Sequence, residues 1–316
     1  MLNPDFEIFS AVRDSLASGK LTWLCTVIQT FGSSPRPRGS MMVCNSEGLL
    51  CGSLSGGCIE DDLIQKLIDA DGTFQNFPLT SSYGVSAEEG ERFGLPCGGR
   101  LDVLIEQISD QHTLEIGRLL TRLENRQCIQ RCVDLDTGEW QLSNTDKHGD
   151  LSLSESTMCQ VLGPELRLLL IGIGALAEAL AEFATPLGYS VTACDPRPEK
   201  IDGWPDHLGK AIQGMPDDVV RALVKDDKTA ILALSHDPRI DDMGLMEALI
   251  SPAYYVGALG STRTAAKRLM RLQALDLPET AIDRLHAPVG LSIGAKTPAE
   301  IAIAILAELT QLKRMS

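Results

Sequence analysis

The sequence predicts an α/β protein in two parts. The first part is an N-terminal α+β domain with a small β-meander, and the second is a C-terminal Rossmann-like domain with a parallel sheet. Three observations support this. Short β-forming runs separated by glycine and proline turns fill the first half. A polar stretch at residues 143–157 is typical of a linker. Beyond it, apolar strands alternate with helical patterns, as in parallel α/β sheets. The predicted domains are therefore residues 1–157 and 158–316.

Composition narrows the classes of function. The chain has 316 residues, 44% of them hydrophobic, with 43 acidic against 28 basic residues and a net charge of −15. That balance disfavours a nucleic-acid or anionic-membrane surface, which needs a positive footprint. Nine cysteines without a secretory pattern lead us to expect reduced thiols in the cytoplasm. No apolar run is long enough to cross a bilayer, and no cysteine spacing favours a structural zinc site.

The N-terminal part begins with an amphipathic helix that ends near Gly19. A buried strand, a proline-containing loop and two short strands follow, and a helix then runs from Ile59 to about Gly72. The next 24 residues give no clear pattern. The predicted elements of this part are helix 5–18, strand 21–30, loop 31–40, strands 41–44 and 49–52, strand 100–107, helix 113–125 and a hairpin over 127–142.

The C-terminal part is predicted to alternate between strand and helix throughout. Its helix over 263–275 carries a basic stripe, and its last helix begins with a capping pattern at Thr297, Pro298 and Glu300. The predicted strands are 166–171, 190–194, 229–235 and 253–256, and the predicted helices are 174–187, 216–225, 241–250, 263–275 and one that starts after Thr297.

A glycine loop with a cysteine precedes the helix that starts near Ile59. Ser55, Gly56 and Gly57 leave backbone N–H groups exposed, which suits an anionic ligand. Cys58 follows at the helix N-terminus, where the dipole favours a thiolate. The acids at positions 60–62 oppose that activation by like-charge repulsion. The alternative is a glycine turn with a buried structural cysteine.

Two further loops share this chemistry. Cys97, Gly98 and Gly99 form a second glycine–cysteine loop, and the two thiol loops together would suit a thiolate-binding metal. Sequence spacing does not determine whether they meet. The loop over 31–40 carries Arg36 between two prolines, followed by Arg38 and Gly39, and its guanidinium groups suit phosphate or another oxyanion. The alternative for both arginines is surface salt bridging.

The C-terminal part carries a dinucleotide-binding pattern. Gly172 and Gly174 follow the first strand, and Asp195 ends the next one, near the spacing of an acid that bonds a ribose hydroxyl. Arg197 could meet a phosphate or be a solvated loop arginine. The glycines could equally serve helix–strand packing.

His236 and Asp237 follow the strand predicted at 229–235, and ligands in open α/β sheets lie beyond the carboxyl ends of the strands. We therefore expect His236 and Asp195 to share one crevice. The alternative is a loop histidine that caps a helix. The chain carries no nucleophile elbow, which disfavours hydrolase chemistry.

Several of these stretches together resemble the XdhC/CoxI family of xanthine dehydrogenase accessory proteins, the molybdenum cofactor insertion chaperones. The resemblance covers nearly the whole chain except about residues 110–160. One departure is Ala175, which stands where the family commonly has a histidine. The matching stretches are TFGSSPRPRGS (30–40), GSLSGGCIE (52–60), CGG (97–99), LIGIG (170–174), SHDP (235–238), YYVGALGS (254–261) with Thr264, Lys267 and Arg268, HAPVG (286–290) and IGAKTPAEI (293–301).

The resemblance implies a maturation chaperone more than an enzyme. Such a protein binds the molybdenum cofactor (molybdopterin), shelters it while a cysteine desulfurase adds a sulfido ligand, and hands it to an apo molybdenum hydroxylase such as xanthine dehydrogenase. By this resemblance the residues nearest the ligand are Arg36, Arg38, Gly56, Gly57 and Cys58, and Cys58 is a candidate contact to the molybdenum cofactor. A nucleotide in the Rossmann-like domain and a homodimer are further expectations.

Two other functions compete with this one. The Rossmann-like half by itself favours an NAD(P)-dependent oxidoreductase, although no evident proton-relay pair accompanies it. A docking scaffold for two partner enzymes, with vestigial ligand sites, is the third hypothesis, and Ala175 supports it.

Overall fold

The computed structural model describes residues 4–32, 36–69, 78–86, 88–89, 93, 99–145, 151–235 and 237–315. The chain divides into two compact units, Leu2–Pro164 and Glu165–Ser316. The division lies seven residues beyond the one predicted from sequence, because the last strand of the first unit runs through the predicted start of the second.

The described residues of the N-terminal unit form two antiparallel sheets and three long helices. The order of one sheet is β3-β2-β1-β5-β4 and that of the other is β7-β6-β9-β8. The helices are α1 (Pro4–Ala17), α2 (Cys58–Asp69) and α3 (Thr113–Glu124), with a short 3₁₀ turn at Asp110–His112. The strands are β1 (Thr22–Phe31), β2 (Met41–Asn45), β3 (Gly48–Gly52), β4 (Leu79–Tyr83), β5 (Arg100–Ile108), β6 (Ile129–Asp134), β7 (Trp140–Asn144), β8 (Ser152–Leu153) and β9 (Thr157–Leu162).

Strand β1 lies at the centre of the first sheet and is buried on both faces over most of its length. Trp23 and Cys25 point into a core shared with α2, whereas Leu24 points into one shared with α1 and α3. Successive residues of a strand face opposite sides, so covering both faces requires a continuous apolar run rather than an alternating one. The continuous apolar run over 21–30 is therefore typical of a strand that is buried on both faces.

The second sheet corrects two expectations. The stretch predicted as a linker contributes β8 and the ends of β7 and β9 to this sheet. Cys132 on β6 and Cys159 on β9 lie directly opposite each other, with Cα atoms 4.1 Å apart, and form a disulfide. The expectation of reduced thiols is therefore wrong for this pair, whose pairing depends on strand register. Cys25, Cys44, Cys51 and Cys194 form no disulfide among the described residues.

The C-terminal unit is a doubly wound sheet, and this confirms the predicted fold class. Its six strands are all parallel in the order β12-β11-β10-β13-β14-β15, which is 3-2-1-4-5-6 in chain order. The strands are β10 (Leu166–Ile171), β11 (Tyr189–Asp195), β12 (Lys210–Gln213), β13 (Thr229–Ala233), β14 (Tyr255–Ala258) and β15 (Leu285–His286). The helices are α4 (Ala175–Ala184), α5 (Pro198–Asp202), α6 (Pro216–Leu223), α7 (Pro238–Ile250), α8 (Thr262–Gln273), α9 (Glu279–Ile282) and α10 (Pro298–Met315).

Helices cover both faces of this sheet. Leu168 and Leu170 pack into the core that includes α4 and α10, whereas Leu169 and Ile171 pack into the core that includes α6 and α7. The predicted cap of α10 is confirmed, because the Glu300 carboxylate accepts the amides of residues 296 and 297 and the Thr297 hydroxyl accepts the amide of Glu300. Among the residues that the structure describes, no helix is both long and apolar enough to span a membrane.

Candidate functional site

The site in the C-terminal unit begins where the strand order reverses, between β10 and β13. Gly172 follows β10 with φ of 96°, and a Cβ on it would lie 2.6 Å from the Cα of Ser235, which follows β13. Only glycine allows the two loops to approach this closely. Gly174 is extended and precedes α4, and a Cβ there would meet nothing within 4 Å. Free space therefore lies in front of the start of α4, where an open α/β sheet binds its ligand.

That space is part of a cleft of about 1050 Å³. The glycine loop and the first turn of α4 line one side of it, and the loop after β14 with the start of α8 lines another. Seven arginine and lysine side chains line the cleft, and no carboxylate does so among the described residues. In a chain with a net charge of −15, this lining creates a local positive field that attracts anions.

Three of the seven cations are held by carboxylates behind the lining. Arg197 pairs with Asp195 at 2.7 Å, Arg268 with Asp241 at 2.7 Å, and Arg271 with Asp242 at 2.5 Å. The Arg268 side chain is only 4% exposed and also donates to the carbonyl of Leu259. This arginine therefore supports the wall of the cleft. The Arg197 side chain remains 41% exposed, so it is still available to an anion.

The other four cations are Lys200, Arg263, Lys267 and Lys296, and within the described part of the chain they form no ion pair. No described carboxylate therefore pairs with their charges. Arginine and lysine in such a position bind phosphate through charge-assisted hydrogen bonds. The cleft is thus suited to a ligand that carries phosphate or a similar oxyanion.

Asp195 lies at the predicted position, but its carboxylate faces the protein. It is fully buried and accepts hydrogen bonds from the amides of Ile173 and Arg197 at 3.0 and 3.1 Å, besides two from the Arg197 guanidinium. Burial opposes ionisation, yet these hydrogen bonds hold the pKa of Asp195 below its ordinary value. Both carboxylate oxygens already accept hydrogen bonds from the protein. The acid therefore holds the glycine loop, whereas we expected it to bind a ribose hydroxyl.

The helices around the cleft differ in how their first amides are satisfied. Asp237 caps α7 by accepting the amide of Arg239, and it also pairs with the Arg239 guanidinium. Ser261 caps α8 by accepting the amide of Thr264. Helix α4 has no side-chain cap at Gly174, so its first amides are available to an anion in the cleft. Asp237 thus acts as a helix cap, and His236, which we predicted beside it, lies outside the described residues.

In the N-terminal unit, the loop before α2 is closed by a carboxylate of the chain itself. Glu60, in the first turn of α2, accepts the backbone amides of residues 54–57 at 2.8–3.0 Å. It also accepts the hydroxyls of Ser53 and Ser55 at 2.8 and 2.5 Å. Burial opposes ionisation, but these donors lower the pKa of Glu60 well below its ordinary value. The amides of Ser55, Gly56 and Gly57, which we expected to face a ligand, therefore bind Glu60.

The cysteines of the predicted cradle are only partly described. The backbone of Cys58 begins α2, and its side chain lies outside what the structure describes, as do Cys97 and Gly98. Gly99 is buried directly before β5. The sulfur atoms of both thiol loops therefore lie outside the described residues.

The arginine loop is anchored to its own unit. The Arg38 guanidinium donates to the carbonyls of Ile28 and Leu151 at 2.9 and 3.1 Å, and the carbonyl of Gly39 accepts the side-chain amide of Gln160 at 2.9 Å. Arg36 is exposed. Arg38 thus holds the loop against the sheets, and two of its nitrogens are already used.

Sequence reasoning did not assign Lys200, Arg263, Lys267 and Lys296 to the site. The basic stripe of α8 was visible as a spacing, with Arg263 and Lys267 four residues apart. Nothing in the sequence connected that stripe to the glycine loop some ninety residues earlier, because parallel strand order brings them together. Lys200 gave no signal, and Lys296 appeared only within the stretch 293–301 of the family resemblance, without an assigned role.

Both parts of the chain match family profiles whose descriptions contain the name XdhC. The family profile described as "XdhC Rossmann domain" matches residues 168–309, and that described as "XdhC and CoxI family" matches residues 15–76. The chain is 27% identical to a protein of Bacillus subtilis named as a probable subunit of xanthine dehydrogenase, over 92% of this chain and 93% of that protein. It is 26% identical to the molybdenum cofactor insertion chaperone PaoD of Escherichia coli, over 95% of this chain and 86% of that one.

A solved structure is similar over the same extent. The crystal structure of a protein titled a xanthine dehydrogenase from Bacillus halodurans matches with a TM-score of 0.75 and 27% identity. The match covers 97% of this chain and 96% of that one. The likeness therefore includes both units.

Proposed function

Because this chain belongs to the XdhC/CoxI family, we propose that it is an accessory protein that binds the molybdenum cofactor and delivers it to an apo molybdenum hydroxylase such as xanthine dehydrogenase. In this proposal the protein also protects the cofactor while its terminal sulfido ligand is added. The names of two relatives, one a cofactor insertion chaperone and the other a probable part of xanthine dehydrogenase, support the proposal.

The observation that carries the proposal is the basic cleft of the C-terminal unit. The cofactor is anionic, with a phosphate on its pterin and a molybdenum centre held by a dithiolene. Lys200, Arg263, Lys267 and Lys296 are unpaired cations among the described residues, and the uncapped start of α4 adds backbone donors. These groups fit the anionic parts of the cofactor, its phosphate among them, since charged donors in a cleft without a described carboxylate bind such groups strongly.

In the N-terminal unit we propose the thiol loop as a further candidate for contact with the molybdenum cofactor. Cys58 is the first residue of α2, and the loop before it is held by Glu60. A thiolate is a soft ligand that suits molybdenum and its sulfido group. The negative charge of Glu60 disfavours a strongly activated nucleophile nearby, so we assign Cys58 a binding role.

The partners follow from the same role. We propose a cysteine desulfurase as the sulfur donor, an apo molybdenum hydroxylase as the acceptor, and a homodimer as the working form. Co-purification with each enzyme separately, and the mass of the free protein in solution, test these three proposals. Capture of either enzyme by protein that retains no cofactor would favour the scaffold hypothesis.

The test of the proposed function is the molybdenum and pterin content of protein purified from cells with an intact pterin pathway. We expect both in the wild-type protein and a loss in Lys267→Ala and Cys58→Ala. Lys210→Ala is the matched control, since Lys210 is an exposed lysine of the same unit outside the cleft. Wild-type protein that binds neither molybdenum nor pterin at micromolar concentration contradicts the proposal.

A second candidate is an NAD(P)-dependent oxidoreductase, which the strand order and the uncapped α4 favour. Asp195 argues against NAD binding, because its oxygens already accept hydrogen bonds from Ile173 and Arg197. Titration with NADH and NADPH, followed by nicotinamide fluorescence, separates the two functions. Tight binding with turnover of a carbonyl compound would establish the oxidoreductase.

A further inference from the structure

The basic lining of the cleft divides into two groups that follow different strands. Arg197 and Lys200 follow β11, whereas Arg263 and Lys267 lie on α8, which follows β14. Strands β10 and β13 separate β11 from β14, so three interstrand spacings, roughly 14 Å, lie between the strand ends. The two groups therefore enter the cleft from different strand ends, and each can bind an anion of its own.

The group near β14 has the properties of an anion site in its own right. Arg263 and Lys267 are four residues apart and therefore lie on the same face of α8. Both are exposed and line the cleft together with Lys296, which precedes α10. The amide of Lys296 is bound by Glu300, so the contribution of this residue to the cleft is its ammonium group.

The charges of this group indicate that it binds a ligand. Its three cations have no ion pair among the described residues, and no described carboxylate lines the cleft. Like charges in one cleft repel each other, and an anion between them relieves that repulsion. Ser261 already satisfies an amide at the start of α8, so side chains, more than the helix terminus, supply the attraction here.

The group near β11 offers different hydrogen-bond donors from the group near β14. Arg197 is fixed by Asp195 and remains 41% exposed, and it lines the cleft together with Gly174 and the uncapped start of α4. Backbone amides and a preoriented guanidinium bind phosphate at this end. The two ends of the cleft thus offer different donors for two separate anionic groups.

We infer that Arg263, Lys267 and Lys296 form a second anion subsite, and that the cleft takes an elongated ligand with an anionic group near each end. The inference rests on the proposed function in that it specifies the ligand class of the same cleft. A ligand with a single anionic group would leave one of the two groups without a counter-charge.

The test is equilibrium dialysis of the full chain against radiolabelled inorganic phosphate. We expect about two phosphates per chain at saturation in the wild-type protein and about one in the Arg263→Ala/Lys267→Ala variant. The Arg197→Ala variant should weaken the other subsite and leave the β14 subsite intact. Lys210→Ala should bind as the wild-type protein does, and thermal unfolding confirms that each variant is folded.

Binding of only one phosphate by the wild-type protein overturns the inference, as does binding of two by the Arg263→Ala/Lys267→Ala variant. These results are distinct from failure of the proposed function. Two phosphates per chain without any molybdenum or pterin would retain the subsites and reject the chaperone. Retained molybdenum cofactor with a single phosphate site would support the chaperone and reject the second subsite.

Discussion

The carboxylate of Asp195 accepts a 3.0 Å hydrogen bond from the amide of Ile173, which ties the end of β11 to the glycine loop after β10. The same carboxylate orients Arg197 toward the cleft. One buried acid thus connects the core of the sheet with the residues that face the ligand, and its removal should change both stability and binding.

Replacing Asp195 with Asn should lower the free energy of unfolding by about 1–3 kcal/mol, because an amide cannot accept all four hydrogen bonds. Hydrogen bonds outweigh the cost of burial and hold the pKa of Asp195 below its ordinary value, so the stabilisation is complete above about pH 4 and is lost as the pH falls further. Urea unfolding at pH 7 and at pH 3 measures the difference. The exposed Asp227→Asn is the control, and an equal loss at both pH values would contradict the explanation.

Replacing Glu60 with Gln should open the loop before α2. The amide loses the charge that four backbone amides and two hydroxyls hold, so we expect about 1–3 kcal/mol less stability at pH 7. Burial opposes ionisation of Glu60, but these donors lower its pKa in the folded protein. The stability difference between wild type and variant should therefore shrink as the pH falls below the unfolded pKa of about 4.5.

Unfolding in urea across pH 3–7 measures the Glu60 effect, and hydrogen exchange of the 54–57 amides locates it. Glu124→Gln, an exposed substitution at the end of α3, is the control. Unchanged exchange of those amides in the Glu60 variant would show that the carboxylate does not hold the loop.

A matched pair of glycine substitutions tests the approach of the loops after β10 and β13. Gly172→Ala should destabilise the protein by about 2 kcal/mol or more, because its φ is 96° and its Cβ would meet the Ser235 backbone at 2.6 Å. Gly174→Ala should fold normally, because its backbone is extended and no atom lies within 4 Å. Thermal unfolding compares them, and equal stability of the two variants would contradict the packing described here.

The disulfide between Cys132 and Cys159 closes 27 residues of chain and should contribute about 3 kcal/mol under oxidising conditions. Reduction with dithiothreitol should lower the denaturation midpoint of the wild-type protein. It should leave the Cys132→Ser/Cys159→Ser variant unchanged. Thiol titration of the unfolded protein with and without reductant counts the bond directly, and nine titratable thiols without reductant would disprove it.

Elements with a strong local pattern were predictable. The apolar run of β1, the capping residues of α10 and the alternation of strand and helix after residue 165 are local signals, because burial and capping act over a few residues. Strands β8 and β9 were missed, because β8 has only two residues and β9 begins at the end of the polar stretch 143–157, whose turn residues suggested a linker.

The sequence by itself determined the two-part α/β organisation, the glycine loop after β10 and the family resemblance, since each depends on residue order alone. Only the tertiary structure decided how charged groups pair. It bound the loop amides before α2 to Glu60, turned Asp195 toward Ile173, and brought Arg263 and Lys267 to the cleft that Gly172 opens. The physical reason is that a charge interacts with whatever lies within a few ångströms in space, and strand order sets those neighbours independently of their distance along the chain.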